Sequence, residues 1–232
     1  IAAYGEGSKC FATQAPNYWA LTRMMWDPDR DASQCMEPLW TSAYGPAAQE
    51  MKMFFETYSH ALDVNWAKRK KIMDTPGIAY VNLINSWHIL FPKEVIDEAE
   101  KYLVAAEKKV VPGEYADRVA FHRFGQDYTR MMLECLDCYR RLAELGVQME
   151  FFSNAVTVPR RDEAETQRVL RRAYELGEKR EQMLLAHRDW AAMDEGLYAF
   201  TNDKGIRQWH AAVKKALGID QPTALTKEKL PK

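Results

Sequence analysis

The chain has 232 residues, 47% of them apolar and 28% charged, with only 11 Gly and 10 Pro, a balance that excludes disordered, collagen-like and low-complexity classes. Lys and Arg number 32 against 33 Asp and Glu, a formal charge of −1, so the strong basic footprint of a nucleic-acid binder is absent. The longest stretch without a formal charge, Pro76 to Pro92, is interrupted by Asn82, Asn85, Ser86 and His88; it is too short and polar to span a bilayer and reads as a buried helix. Neither nucleic acid nor membrane is an expected partner.

The sequence opens at Ile1 with no initiator Met and no basic n-region, so the start is not a signal peptide and the chain reads as part of something longer. Ile1 to Tyr4 forms a short strand-like run, and Gly5-Glu6-Gly7-Ser8 a loop. From there helical periodicity dominates: one strand followed by about eight helices. The first is expected from near Pro16 to Trp26. Asp31, with Gln34 three residues on, has the capping-box arrangement that starts a second helix, in which Pro38 should produce a kink. Gly45 stops that helix and Pro46 starts the next, where Met51, Phe55, Tyr58 and Leu62 share one face.

Asp74-Thr75-Pro76-Gly77 is a turn cluster ahead of the uncharged helix. Pro92 then opens a helix with Ile96, Ala99, Leu103, Ala106 and Val110 as its apolar stripe, closed by Pro112-Gly113. From about Glu114 to Leu145, the residues Phe121, Phe124, Tyr128, Met131, Cys135, Cys138, Leu142 and Leu145 alternate spacings of three and four, the pattern of a bundle-core helix. Gly146 to Pro159 is irregular. A charged helix follows, with Val169, Leu176, Met183 and Trp190 at heptad spacing and Leu170, Ala173 and Leu184 beside them. The last helix carries Ile206, Trp209, Val213 and Leu217. The tail from Asp220 to Lys232 is polar and expected to fray.

Several constellations carry residue types suited to chemistry. Asp27, Asp29 and Asp31 open like a calcium loop, but Ala32 stands where the loop needs Gly and Pro38 where it needs Glu, so capping is the reading. Cys135 and Cys138 form a CxxC that lies on an apolar stripe, with no second CxxC and no His after Cys138; they read as structural thiols. Four cysteines overall show no disulfide framework. His60, His88, His122, His187 and His210 are scattered singly, and no metal site or cofactor is expected. Arg160, Arg161, Arg168, Arg171 and Arg172 alternate with Asp162, Glu163, Glu165 and Glu175, a mixture typical of a solvated helix face. Tyr4 and Glu6 after the strand, with Asn17, Tyr18 and Trp19 at the head of the first helix, remain as a candidate sugar site. Apolar pyranose faces stack on aromatic rings while carboxylates accept hydroxyl hydrogen bonds.

Tyr4-Gly5-Glu6-Gly7, Tyr18-Trp19-Ala20-Leu21, Met25-Trp26-Asp27-Pro28-Asp29-Arg30-Asp31 and Ala43-Tyr44-Gly45-Pro46-Ala47-Ala48, in this order and separation, resemble the bacterial domain-of-unknown-function family 4838. The helices beginning near Pro92 and containing Arg118 look like its continuation, so the resemblance covers about the first 145 residues; Pro38 departs from the pattern. The family is similar to glycoside hydrolases and is commonly part of large multidomain proteins in which a (β/α)8-like barrel precedes a helical domain, as in alpha-glucuronidases and beta-hexosaminidase-like enzymes. The resemblance implies that residues 1–15 are the last strand and loop of an upstream barrel, 16–219 a C-terminal helical domain and 220–232 a polar tail.

Glu6 would then sit at the strand's C-terminal end, where barrel active sites form. The residues implied as substrate-binding are Glu6, Tyr4 and Tyr18, with no catalytic residue in this chain, because glycoside hydrolysis needs two carboxylates on a rigid frame. The expected fold is mainly α, a multi-helix bundle-like domain after one barrel strand. Expected partners are the upstream barrel of the same protein and carbohydrate, and the resemblance favours export. The other reading is a helical interaction or homo-oligomerisation module that touches no sugar.

Overall fold

The computed structural model describes residues 11–27, 29, 31–73, 88–149, 156–157, 163–187 and 202–219, which are mainly helical. In chain order the elements are α1 (Phe11–Trp26), α2 (Ala32–Tyr44), a 3-10 turn (Gly45–Ala47), α3 (Ala48–Met73), α4 (Lys93–Glu107), α5 (Glu114–Glu144), β1 (Gln148–Met149), β2 (Val156–Thr157), α6 (Glu163–Ala186) and α7 (Asn202–Ala216). The expected N-terminal strand, residues 76–87 of the uncharged helix expected over Pro76–Pro92, Trp190 and the polar tail lie outside the described residues; 88–90 are helical. Among the described residues no helix is long and apolar enough to cross a membrane.

The chain divides into two compact units, Ile1–Asp127 and Tyr128–Lys232. Their boundary falls inside α5, a continuous helix. A division placed within a helix leaves no linker composition in the sequence to mark it.

In the first unit, local chemistry sets the helix ends. Asp31 is the N-cap of α2: its Oδ1 accepts from the Ser33 backbone N–H at 2.7 Å, satisfying one of the donors a helix start leaves orphaned. The Ser33 hydroxyl and backbone hold the exposed Asp31 carboxyl below its ordinary pKa of 3.8. A lowered folded-state pKa means that the cap's contribution is present above that ordinary value and fades as pH falls below it. Asp31→Ala is therefore expected to lower the melting temperature at pH 7, and the deficit should shrink on acidification to pH 3; a constant deficit would contradict the capping role.

α1 begins earlier than expected, at Phe11, and carries Pro16 inside it, while α2 runs on through Pro38. Each proline removes one backbone donor. Beyond Pro38, the Ser42 hydroxyl donates to the Pro38 carbonyl at 2.7 Å.

At the end of α2 the chain turns through Gly45, φ 50° and ψ −116°, a conformation that carries a steric cost for any residue with a Cβ. A Cβ there would stand 2.5 Å from Cε2 of Tyr115. Gly45→Ala is expected to cost about 1–3 kcal/mol, read as a shift of the urea midpoint with unchanged slope. The Tyr115 ring is partly exposed, so its outward rotation should keep the cost from growing further; no loss at all would show that the turn relaxes freely.

The core of this unit joins Leu39, Trp40 and Tyr44 of α2, Met51 and Phe54 of α3, Ala99, Leu103 and Ala106 of α4 and Val119 of α5. The stripe expected for α4 is buried from Ile96 to Ala106. On the face expected for α3, Met51 is buried and Phe55 and Tyr58 pack partly buried against the core, but Leu62 is 38% exposed, while Phe54 and Ala61 are buried beside that face. With adjacent Phe54 and Phe55 both apolar, spacing alone allowed either rotation of the helix.

In the second unit, Met131, Cys135, Leu136, Tyr139 and Leu142 of α5, Val169, Leu170, Ala173, Leu176 and Leu184 of α6, and Trp209, Ala212 and Val213 of α7 are buried. The Tyr139 and Trp209 rings pack at 4.7 Å between centroids. The mixed charges of α6 form a solvated, ion-paired face: Arg168 Nε donates to Glu165 at 2.7 Å and Arg172 Nη2 to Glu134 at 2.7 Å. Within the stretch expected to be irregular, Gln148 pairs with Thr157 and Met149 with Val156 in an antiparallel ladder. Strands of two residues are too short to carry an alternating pattern.

Candidate functional site

Of the three residues expected to touch sugar, Glu6 and Tyr4 lie outside the described residues. Tyr18 is half-buried on α1. Beside it Trp19 is committed to packing: its Nε1–H donates to the Cys35 carbonyl at 2.7 Å, and the Arg23 guanidinium lies 4.6 Å from its ring centroid. Trp19 therefore ties α1 to α2, and its indole has spent its hydrogen bond internally.

One turn later α1 presents the opposite situation. Leu21, Met25 and Trp26 are exposed, Trp26 to 91%. Asp27 and Asp29, immediately after it, are also exposed. An indole in water next to two carboxylates combines a flat apolar stacking surface with hydrogen-bond acceptors, the pair of features that sugar contact uses. Trp26 belongs to one of the motifs behind the family resemblance, but sequence alone could not say whether it was core or surface. Its position in the last turn, directly before Asp-Pro, was the available signal.

The Tyr44-Gly45-Pro46 turn has a structural role instead. Tyr44 Oη and His122 Nε2 share a buried hydrogen bond of 2.8 Å, and the His122 ring lies edge-on to Phe55 at 5.0 Å. Burial lowers the His122 pKa to about 4, so the imidazole is neutral near neutrality. Burial likewise raises Tyr44 above the ordinary phenol value, with the Arg118 charge opposing it. This aromatic cluster holds the first unit together.

The two thiols of the CxxC separate in environment. Cys135 is buried and Cys138 only partly so; burial pushes their pKa values up to about 12 and about 11. Thiols kept protonated are poor nucleophiles and poor metal ligands, in keeping with a packing role.

A polar cluster in the second unit was not legible in the sequence. Glu178, Glu181 and His210 bring donor atoms within 4.8 Å of one another. His210 Nε2 is 2.8 Å from Glu178 Oε1, and Lys214 Nζ is 2.6 Å from the same oxygen. A carboxylate oxygen only accepts, so Nε2 carries the hydrogen, and the ring's remaining lone pair, on Nδ1, lies against Gly177. The Lys214 ammonium and the buried Arg180 guanidinium balance the two carboxylates. This donor set fits a charge-compensated network rather than a metal centre. Glu178 and Glu181 stand three apart on α6, a spacing visible in the sequence; the approach of α7 is not.

Compared with protein-family models, with curated proteins and with solved structures, the chain matches none.

Proposed function

We propose that this chain is the C-terminal helical portion of a glycoside hydrolase-like, carbohydrate-active protein, supporting and rimming a sugar site whose paired catalytic carboxylates lie in another part of that protein. The observation that carries the reading is Trp26, 91% exposed at the end of α1 beside the exposed Asp27 and Asp29. Together with Leu21 and Met25, the indole leaves an exposed apolar surface at the end of α1, and a pyranose face covers such a ring with matching chemistry. The ordered motifs around Trp26 and Tyr44-Gly45-Pro46 support the same assignment through their family resemblance. In the described residues those motifs cap, turn and pack, as a supporting domain requires.

A second reading, a helical interaction module without sugar contact, draws on Leu62 and Val64, which α3 leaves exposed. Titration with xylo-, cello- and chito-hexaose, followed by tryptophan fluorescence, separates the two. Rim contact predicts a saturable change for at least one of these sugars, together with no turnover of aryl glycosides by the chain alone. Turnover by the chain alone, or a flat titration accompanied by concentration-dependent self-association, would overturn the first reading.

A further inference from the structure

We propose that the contact between α6 and α7 is an acid-released latch, in which His210 docks as a neutral imidazole and its protonation in mildly acidic water frees α7 from α6. His210 and Arg180 are fully buried, and His210 lies directly against Gly177, where a Cβ would come within 2.7 Å of the ring Cγ and closer still to Nδ1 and Cε1. Only a glycine lets the imidazole approach this closely.

The ring's two nitrogens are then in opposite situations. Nε2–H donates to Glu178 at 2.8 Å, while Nδ1 is buried with no hydrogen-bond partner. A neutral ring tolerates this, since Nδ1 carries a lone pair and no hydrogen. A second proton would have to sit on Nδ1, facing Gly177 with no acceptor.

The groups around the ring reinforce the effect. From α6, Tyr174 stacks on it at 5.7 Å, Glu178 accepts its hydrogen, and Arg180 and the buried Glu181 are neighbours on the same helix; from α7, Lys214 Nζ bonds Glu178 at 2.6 Å and stands 5.7 Å from the Tyr174 centroid. From α5, Tyr139 packs on Trp209, next in sequence to His210, and Tyr128 accepts from Arg180 Nε at 3.2 Å. The Glu178 charge alone favours an imidazolium; burial, Lys214 and Arg180 oppose it, and the balance places the docked imidazole below its ordinary value of 6.5. Burial pushes the Glu178 carboxyl up, but the bonds from Lys214 and His210 outweigh it and leave it below 4.5. For a lowered folded-state pKa the contribution to docking is complete above the free value and is lost as pH falls below it. Both groups therefore act in the same direction: His210 loosens the latch below pH 6.5, and Glu178 removes the shared acceptor below 4.5.

Released α7 has no such penalty, because in water the imidazolium is fully solvated. Hydrogen exchange of the intact chain at pH 7.0 and 5.0, corrected for intrinsic rates, reads the opening. Exchange across 202–219 in the wild type should accelerate about ten- to thirty-fold, the ratio expected when only the open state takes up the proton. In His210→Gln, which cannot protonate, the same segment should show no acceleration, while the response of 93–107 in the first unit stays as in the wild type. Equal exchange at both pH values, or a His210→Gln segment as acid-sensitive as the wild type, would overturn the latch. Should His210→Gln fail to fold, the imidazole resonance of wild-type His210 decides: titration well below pH 6.5 while α7 is docked supports the proposal, and titration at the free value with α7 still protected refutes it.

Discussion

Gly177→Ala is expected to lower the unfolding free energy of the chain by about 2–4 kcal/mol, although helix propensity alone predicts the opposite sign. In an exposed helix interior, replacing Gly by Ala gains about 1 kcal/mol. Gly177 is buried, and the new methyl would overlap the His210 ring, approaching Cγ to 2.7 Å. The ring cannot yield cheaply, because it is fully buried and its Nε2 is held by Glu178. Overpacking of this kind costs about 1–3 kcal/mol, and losing the buried hydrogen bond adds about 1–3 kcal/mol. Chemical denaturation followed by circular dichroism tests the sign directly. A Gly177→Ala chain as stable as the parent would mean that α7 does not lie against α6 at this point.

Acidification should destabilise the first unit as well, through His122. Its folded-state pKa of about 4 lies below the ordinary 6.5, so the full contribution is present above 6.5 and is lost progressively down to about 4. The difference corresponds to about 3 kcal/mol at the acid end, of which about 2 kcal/mol falls between pH 6.5 and 5, before most carboxylates titrate. Tyr44→Phe alone should cost about 1–3 kcal/mol at pH 7, since it leaves the buried Nε2 without its partner. The double change Tyr44→Phe/His122→Leu removes both polar groups and should be milder than the single one. It should also flatten the pH dependence of urea unfolding between 7 and 5 relative to the parent. An unchanged slope in the double variant would assign the acid sensitivity to other groups.

Local chemistry was legible in the sequence; the meeting of distant side chains was not. Asp31 caps α2 and Gly45 ends it because capping and turning depend on a few adjacent residues. The α4 stripe was legible because Ile96, Ala99, Leu103 and Ala106 stand out against charged neighbours. On α3 the neighbouring Phe54 and Phe55 broadened the apolar face, and both pack in or against the core that α2 and α4 complete. Tyr44 and His122 are 78 residues apart, and Glu178 and His210 are 32 apart; no spacing rule joins them. Single histidines scattered along the chain therefore looked inert, while two of the five became buried partners. Pro16, expected near a helix start, lies inside α1, and Pro38 lies inside α2 as expected; a helix can continue past the backbone bond that each proline removes.

Sugar contact by this chain turns on one side chain. Among the residues it invokes, Trp26 combines near-complete exposure with neighbouring carboxylates and makes no claim on the core, so its removal should leave the fold intact. Affinity electrophoresis through native gels containing soluble xylan, cellulose derivative or glycol chitin compares the parent chain with Trp26→Ala under identical folding conditions. Rimming of a sugar site predicts retardation of the parent in at least one polysaccharide gel and recovery of free mobility by Trp26→Ala, with both proteins migrating alike in the gel without polysaccharide. Equal mobility of parent and variant in every gel would contradict the account.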